Sequence, residues 1–189
     1  MIYLANALTL LIEFLFGAVV ALFAFRLLAE ATRADFYNPI CQFLYRATNP
    51  ILTPLRPVIP TLRRINLAAL LIIWILEVAK NFLLRFVTPG FWSSNVGTLV
   101  LGAADVLNFF AIAYLVMIFA WALLSYVNVD PRNALVPLLG KIVAPVLKPF
   151  RKVLPLIGGF DFSPALAILV ILLFETVAVA WLMDLGHRI

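Results

Sequence analysis

A long segment of this sequence occurs twice, at an offset of 95 residues and without a gap. Within residues 35–73, eleven positions recur unchanged in the second copy, and three of them are prolines. The first-copy positions are Asp35, Asn38, Leu44, Pro50, Leu52, Pro54, Arg56, Val58, Pro60, Leu71 and Ile73. Residues of these types rarely replace one another, and a fixed internal period means that one structural unit is used again. The sequence therefore predicts two repeats, residues 1–95 and 96–189.

The chain is too apolar to be a water-soluble domain. Apolar residues make up 65% of it and charged residues 12%, whereas about a quarter of a soluble domain is charged. Lipid must therefore solvate part of the surface, which predicts an integral membrane protein. Cys41 and His187 are the only cysteine and the only histidine. No internal disulfide, no metal site and no cofactor is expected from such a set.

Four long apolar runs predict an all-α membrane protein with four transmembrane helices. The runs cover residues 2–25, 65–87, about 99–127 and 162–183. Each run is long enough to cross roughly 30 Å of hydrocarbon at about 1.5 Å per residue. Backbone groups in lipid must hydrogen-bond internally, which requires helices. Each repeat thus consists of a span, a polar connection and a second span, and the third span is expected to be centred after Asp105.

The positive charges indicate how the repeats lie in the membrane. The two polar connections hold ten of the fourteen Lys and Arg residues. Because such residues are enriched in cytoplasmic loops, both connections are expected in the cytoplasm and both termini on the other side. The repeats would then run in the same sense, as parallel tandem repeats. Their pseudo-twofold axis would lie along the membrane normal.

Each connection contains an amphipathic, proline-kinked interfacial segment, residues 36–62 in the first repeat and 131–157 in the second. Apolar residues recur there at helical spacing. They are Ile51, Leu52, Leu55, Val58, Ile59 and Leu62, and Val146, Leu147, Phe150, Val153, Leu154 and Ile157. Proline lacks a donor and crowds the preceding turn. A short helix before Pro50, a break and one or two kinked turns are therefore expected, and likewise around Pro145, Pro149 and Pro155.

Charged residues in and after these segments are candidates for binding anionic lipid headgroups or a partner protein. The candidates are Arg56, Lys148, Arg151, Lys152 and Asp161. Each cation near the surface adds about 1 kcal/mol to the attraction of anionic lipid. The alternative is that the segments are only interfacial anchors. Asp161 and its counterpart Asn66 are also suited to capping the helix that follows, without any ligand.

A second set of candidates forms an intramembrane polar track inside the spans. It consists of Glu13, Glu77, Lys80, Asn108 and Glu175. An isolated charge at the bilayer centre costs at least about 3 kcal/mol, so these groups should face the bundle and be paired or protonated. Such residues mark ion or proton pathways, and the alternative is that they only hydrogen-bond the helices together. Glu13 corresponds to Asn108 between the repeats, but Glu77 aligns with Leu172 and Glu175 with Lys80, which argues against a symmetric pore.

Four sequence patterns, taken together, resemble the YggT family of membrane proteins, also called the YlmG family, in its two-copy bacterial form. They are residues 35–39, 50–60, 145–155 and 158–164. The first repeat departs from the family pattern, because Asn66 stands where an aspartate is favoured. The second repeat has that aspartate, Asp161. The resemblance implies a multi-pass protein of the bacterial inner membrane, with periplasmic termini and no established catalysis. It also implies links to osmotic stress, ion uptake, cell division or the assembly of other membrane proteins.

The expected function is that of a non-enzymatic scaffold or assembly factor for membrane complexes or lipid organisation. No phosphate-binding loop, activated nucleophile or large water-facing domain is evident in the sequence, so an enzyme is not expected. The expected partners are the bilayer, anionic lipid headgroups and other membrane proteins, and a homo-oligomer is left open. Nucleic acid is not expected, because the positive charge is divided between two membrane-side segments. The alternative function is a small potassium or proton channel or transporter.

Overall fold

The computed structural model describes residues 2–62, 64–88, 91, 93–124, 133–154 and 161–189. The described chain is almost entirely helical and contains one two-stranded hairpin. The elements in chain order are α1 (Ile2–Ala31), α2 (Pro39–Leu52), β1 (Thr61–Leu62), β2 (Ile65–Asn66), α3 (Leu67–Val87), α4 (Asn95–Leu124), α5 (Leu135–Val153), α6 (Ser163–Phe174), a π-helical turn (Glu175–Val179) and α7 (Ala180–Arg188).

Four helical segments are long and apolar enough to cross a membrane, which confirms the predicted all-α membrane fold. They are α1, α3, α4 and the continuous run from α6 through the π-helical turn to α7. The predicted limits were too short for α1, which continues from Phe25 to Ala31. The third span was placed too late, because α4 already begins at Asn95. Asp105 therefore lies inside the helix, and the predicted end of this span falls outside the described residues.

The two interfacial segments form helices that tolerate their prolines better than predicted. Helix α2 contains Pro50 and ends two residues later, and non-helical turns follow it. Helix α5 runs without a break through Pro145 and Pro149, so the expected interruption there was wrong. Proline costs a helix one hydrogen bond and crowds one turn, and packing of the apolar face offsets that loss. Pro155 lies outside the described residues.

The faces that these two helices bury begin earlier in the sequence than predicted. Helix α2 buries Cys41, Leu44, Thr48 and Leu52, and α5 buries Leu138, Leu139, Ile142, Val143 and Leu147. Of the predicted stripes, Ile51, Val58, Leu62 and Val153 are exposed instead. Val58 and Leu62 extend past the end of α2, where helical spacing no longer places side chains on one face. Ile51 lies within α2 and Val153 ends α5, and both are on the exposed side of their helix.

The spans pack in the order α1, α3, α4 and then α6 with α7. Glycines set two of the close approaches. A Cβ atom at Gly102 of α4 would lie 3.1 Å from the Val78 backbone nitrogen in α3, and one at Gly186 of α7 would lie 3.2 Å from the Gly97 carbonyl oxygen in α4. Small residues let helix backbones approach closely in lipid, where packing rather than water drives association. Helix α4 is therefore held firmly on both sides.

Both interfacial helices lie at the same end of the bundle, which fits parallel repeats. The Asn38 side-chain amide, before α2, donates a 2.6 Å hydrogen bond to the Ala134 carbonyl, before α5. The Lys141 ammonium approaches the Arg33 carbonyl at 3.4 Å. We call this end the basic side. The pseudo-twofold relation is not exact, because α3 packs extensively on α4 whereas α6 and α7 make no comparable contact with α1.

Candidate functional site

A charged cavity of about 440 Å³ lies between α1, α3 and α4, within the span region. Its polar lining residues are Glu13, Glu77, Lys80, Asp105 and Asn108. Each comes from an element whose remaining surface is apolar, so the helices turn their few polar positions toward one another. A polar chamber of this kind is costly in lipid unless its charges are paired or bind something.

Lys80 is the electrostatic centre of this cavity. Its ammonium forms an ion pair with the Glu77 carboxylate on the same helix and lies 3.1 Å from Asp105 Oδ2 across the α3–α4 contact. The Asn81 amide donates a second hydrogen bond, of 2.8 Å, to the same Asp105 oxygen. The Glu77 and Lys80 side chains are only 4% and 17% exposed, so the pair is well shielded from its surroundings. The network fastens α3 to α4.

The cavity holds more negative than positive charge. Glu13, Glu77 and Asp105 face it with Lys80 as the only cationic group in its described lining. Glu13 makes no hydrogen bond or ion pair with any described residue and is exposed on the cavity side of α1. Glu13 therefore adds a carboxyl group that has no counter-charge among the described residues, which is unfavourable in such surroundings.

The structure brings together four of the five members of the predicted polar track. Glu175 is the exception, because it begins the π-helical turn and is absent from the lining of the cavity. Sequence reasoning missed Asp105, whose repeat counterpart is the apolar Leu10 and which was placed before the centre of the third span. Its spacing of three residues from Asn108 was the available signal, since such positions share a helical face.

An apolar chamber adjoins the charged cavity on the basic side. It has a volume of about 280 Å³ and lies between α1, α4 and the two interfacial helices. Phe25, Val116 and Met117 line both spaces. The remaining walls are aliphatic side chains, among them Leu44 of α2 and Leu139 of α5. The space between the charged cavity and the basic side is thus lined by apolar side chains.

A second polar network, which the sequence did not reveal, anchors α2 to α1. Arg26 is fully buried and donates hydrogen bonds to Glu30 at 3.1 Å and to the Thr48 hydroxyl at 2.6 Å. Its guanidinium carbon lies 4.5 Å from the centre of the Tyr45 ring, a favourable cation–π arrangement. Burial and the charge of Glu30 raise the pKa of Tyr45 to about 12. The phenol therefore stays neutral beneath the cation.

The second repeat uses an apolar contact at the same place. Trp121 and Gly140 occupy the positions equivalent to Arg26 and Tyr45. A Cβ atom at Gly140 would lie 2.8 Å from the Trp121 ring, so the glycine forms a notch that accepts the indole. The aromatic ring thus comes from the interfacial helix in the first repeat, as Tyr45, and from the transmembrane helix in the second, as Trp121. The two interfacial helices are therefore fastened by different chemistry.

The candidate arginines of the basic side are both engaged by carboxylates. The Arg151 guanidinium lies 3.0 Å from Asp161, and the Arg56 guanidinium lies 3.7 Å from Glu30. The Asn66 amide also donates to Glu30, at 3.0 Å. Glu30 thus binds Arg56 in the first repeat, where Asn66 replaces the aspartate that binds Arg151 in the second. Lys148 and Lys152 are exposed and make no ion pair with a described residue.

Asp161 and Asn66 also organise the starts of the second span of each repeat. The Asn66 side chain accepts a hydrogen bond from the Ala69 amide and so caps α3, as the sequence predicted. Asp161 accepts hydrogen bonds from the Ser163 amide and hydroxyl. Partial burial raises the pKa of Asp161, but the bonds from Ser163 and Arg151 outweigh it and hold the pKa below its ordinary value.

No group of histidine, cysteine, aspartate and glutamate side chains in the described part of the chain is arranged to hold a metal ion. Cys41 is buried, and burial raises the pKa of its thiol. The sulfur is therefore in its unreactive protonated form at neutral pH.

The fold and this site define a class: a four-span membrane protein of two tandem repeats, with basic interfacial helices and a charged cavity. The CCB3/YggT family model matches residues 1–87 and 100–182, and the chain belongs to this family. A Haemophilus influenzae protein described as uncharacterized is 35% identical over 163 residues, covering 84% of this chain and 85% of the relative.

The uncharacterized protein YggT of Escherichia coli K12 is 34% identical over 169 residues, which covers 88% of this chain and 86% of that protein. A Vibrio alginolyticus protein described as lying in the proC 3′ region is 32% identical over 159 residues, covering 84% of this chain and 85% of the relative. No solved structure matches the chain.

Proposed function

We propose that this chain is a non-enzymatic membrane protein that gathers anionic lipid headgroups and partner helices at its basic side. In this role it would serve as a scaffold or assembly factor in a bacterial inner membrane, with cytoplasmic interfacial helices and periplasmic termini. Demand for it would rise under osmotic or envelope stress or during division. The observation that carries the proposal is the row of exposed lysines on α5.

Three lysines lie on the face of α5 opposite its buried residues. Lys141, Lys148 and Lys152 fall within about 40° of one another around the helix, given 100° per residue. The opposite face, which includes Ile142 and Leu147, is buried against the bundle. A helix that lies at the interface with lysines outward presents these charges to lipid phosphates. Arg56 and Arg151 have a different role in this proposal, because carboxylates already hold them.

The experiment compares lipid retention by charge variants in bilayers of fixed composition. The chain is reconstituted in phosphatidylcholine containing phosphatidylglycerol, and the lipids that stay bound on extraction are counted by native mass spectrometry. Lys148→Gln with Lys152→Gln should weaken phosphatidylglycerol retention roughly thirty-fold, since each cation contributes about 1 kcal/mol. Phosphatidylcholine retention should not change.

The charge-matched control is Arg85→Gln with Arg188→Gln, which removes two cations at the other end of the spans. This control should retain phosphatidylglycerol as the unmodified chain does. Equal retention by the lysine variant and the unmodified chain would refute the headgroup site. A loss of similar size in both variants would show that net charge alone governs retention.

The charged cavity supports a second candidate function, in which the chain couples to or conducts potassium ions or protons. Glu13 has no partner in the described chain, and Lys80 cannot neutralise all three carboxylates of the lining. A cavity with excess negative charge attracts cations. This candidate ranks below the first because the space between the cavity and the basic side is lined by apolar side chains, which offer an ion no ligands.

Purified chain in sealed liposomes tests the second candidate. A potassium gradient applied with a protonophore, and separately a proton gradient, are each followed with a proton-sensitive dye inside the liposomes, so that flux of either ion is reported. Flux that falls at least ten-fold in Glu77→Gln, but not in Glu175→Gln, would support the cavity as the pathway. Liposomes with no more flux than protein-free ones, under both gradients, would remove this candidate.

A further inference from the structure

The contact between the two repeats is built from one face of α3 and one face of α4. Val78 seats against Gly102 at the closest approach, and the Trp74 indole nitrogen donates a 3.2 Å hydrogen bond to the Leu99 carbonyl. Lys80 and Asn81 reach Asp105 one turn further along. This surface joins the second span of one repeat to the first span of the next.

The same surface exists a second time, without a partner. Moving the α3 face by 95 residues gives a face of α6 and the π-helical turn, and moving the α4 face back by 95 gives a face of α1. The equivalents of Trp74, Val78, Lys80 and Asn81 are Leu169, Leu173, Glu175 and Thr176, and those of Leu99, Gly102 and Asp105 are Leu4, Ala7 and Leu10. Within one chain these two faces do not pack together.

Exposure shows how open these two faces are. In the central windows of α3 and α4, 33% and 28% of the residues are buried, against 17% in α1 and 11% in the last span. Leu10 is 70% exposed and Leu173 is 55% exposed, although their counterparts Asp105 and Val78 are partly buried. Ala7, like Gly102, is small enough to admit a close helix crossing.

Two intramembrane acids without partners lie on or beside these faces. Glu175 stands at the position of Lys80, and Glu13 stands at the position of Asn108, which shares the cavity wall with Lys80. Neither glutamate makes a hydrogen bond or ion pair with a described residue. A carboxyl group facing hydrocarbon is unfavourable, whereas a polar partner across a helix interface can satisfy it. The repeat relation places both acids at one interface.

We propose that a second copy of this chain covers these faces, with α6 of each copy packed on α1 of the other. An interface of this kind, which joins unlike faces, needs a closed arrangement to avoid open-ended assembly. Two chains achieve it, because both α6–α1 contacts form at once and four repeats close into a ring. Glu175 of a second copy then lies beside Glu13 and completes the polar lining on that side.

Cysteine cross-linking in native membranes tests this arrangement. Cys41 is first replaced by alanine, and two single-cysteine chains, Ala7→Cys and Leu173→Cys, are expressed together with different tags. These positions correspond to the closest approach of α3 and α4, so oxidation should link the two tagged chains to each other. The chain carrying both cysteines should yield dimers joined by two cross-links, without a ladder of larger oligomers.

The matched control pairs Leu8→Cys with Leu172→Cys. Each position lies at nearly the same depth, about 100° around its helix, and is 40% or 41% exposed. The control should give at least ten-fold less linked dimer than the Ala7 and Leu173 pair. Similar linking in both pairs means random collision, and linking only within single chains means that α6 closes on its own α1. Either result overturns the proposal.

A substitution that adds no further cysteine separates the contribution of the polar contact from that of the packing. Glu175→Leu removes the carboxyl group and makes the lipid-facing surface more apolar. In the Ala7 and Leu173 cysteine background it should lower the dimer yield about five-fold, the typical effect of one interhelical hydrogen bond in lipid. An unchanged yield would show that Glu175 has no part in the interface.

Discussion

The ion pairs of Lys80 give the sharpest test of what holds the two repeats together. Lys80→Met keeps the length and packing of the side chain but removes the cation that Glu77 and Asp105 share. Both carboxylates are then left in a shielded site, with only the Asn81 amide donating to Asp105. Breaking a buried pair in this way costs about 3–5 kcal/mol, a large part of a typical stability of about 5–15 kcal/mol.

The measurement is reversible unfolding in mixed micelles at neutral pH, followed by circular dichroism and tryptophan fluorescence. The triple variant Glu77→Gln, Lys80→Met and Asp105→Asn should regain at least half of the lost stability. A single-variant loss below about 1 kcal/mol, or a triple variant as unstable as Lys80→Met, would refute the reasoning.

Three further predictions concern the basic side. Gly140→Ala should cost about 1–3 kcal/mol of unfolding free energy, because the new methyl group meets Trp121. The control Gly17→Ala should not destabilise the chain, because its methyl group meets no other atom. Thermal unfolding compares the two variants, and equal effects would contradict the close contact between Gly140 and Trp121. Arg26→Met should expose α2 to protease while leaving α5 protected, and equal cleavage of both helices would refute separate anchoring. Because the pKa of Asp161 is lowered in the folded chain, its stabilisation is present above the ordinary value of 3.8 and is lost as the pH falls through the lower folded value. Asp161→Asn should therefore remove part of the acid sensitivity of stability, and an unchanged acid limb would show that the carboxylate is not stabilising.

The spans and the tandem arrangement could be predicted because each depends on many residues at once. A twenty-residue apolar run or an eleven-position repeat survives errors at single positions. The limits of α1 could not be predicted as well, because Arg26 and Glu30 look like the start of a polar connection. In the fold they satisfy each other and Thr48, so the helix continues through them. The end of α1 therefore depends on the partners of these side chains, which the apolar run alone does not reveal.

The polar track could be predicted in part, since four of its members share the cavity, but Asp105 was missed and the connections could not be predicted. A lone acid in an apolar span is conspicuous, which is why Glu13, Glu77 and Glu175 stood out. Which of them share a cavity depends on helix rotation and on the partner that each span chooses. The absence of packing between α6 and α1 left Glu175 outside, and no local sequence signal encodes that absence. The break predicted at the prolines of α5 was wrong for a related reason. The tertiary contacts of α5 compensate for the hydrogen bonds lost at Pro145 and Pro149.

The exchange of Arg26 and Tyr45 for Trp121 and Gly140 limits how this chain can change over generations. A tryptophan at position 26 would collide with Tyr45, and a tyrosine at position 140 would collide with Trp121. An arginine at position 121 would bury its charge without the hydroxyl that Thr48 supplies, because Val143 stands there. Neither copy can adopt the other's solution by a single replacement. Since their duplication, the two halves have therefore become specialised parts that recombination between them would damage.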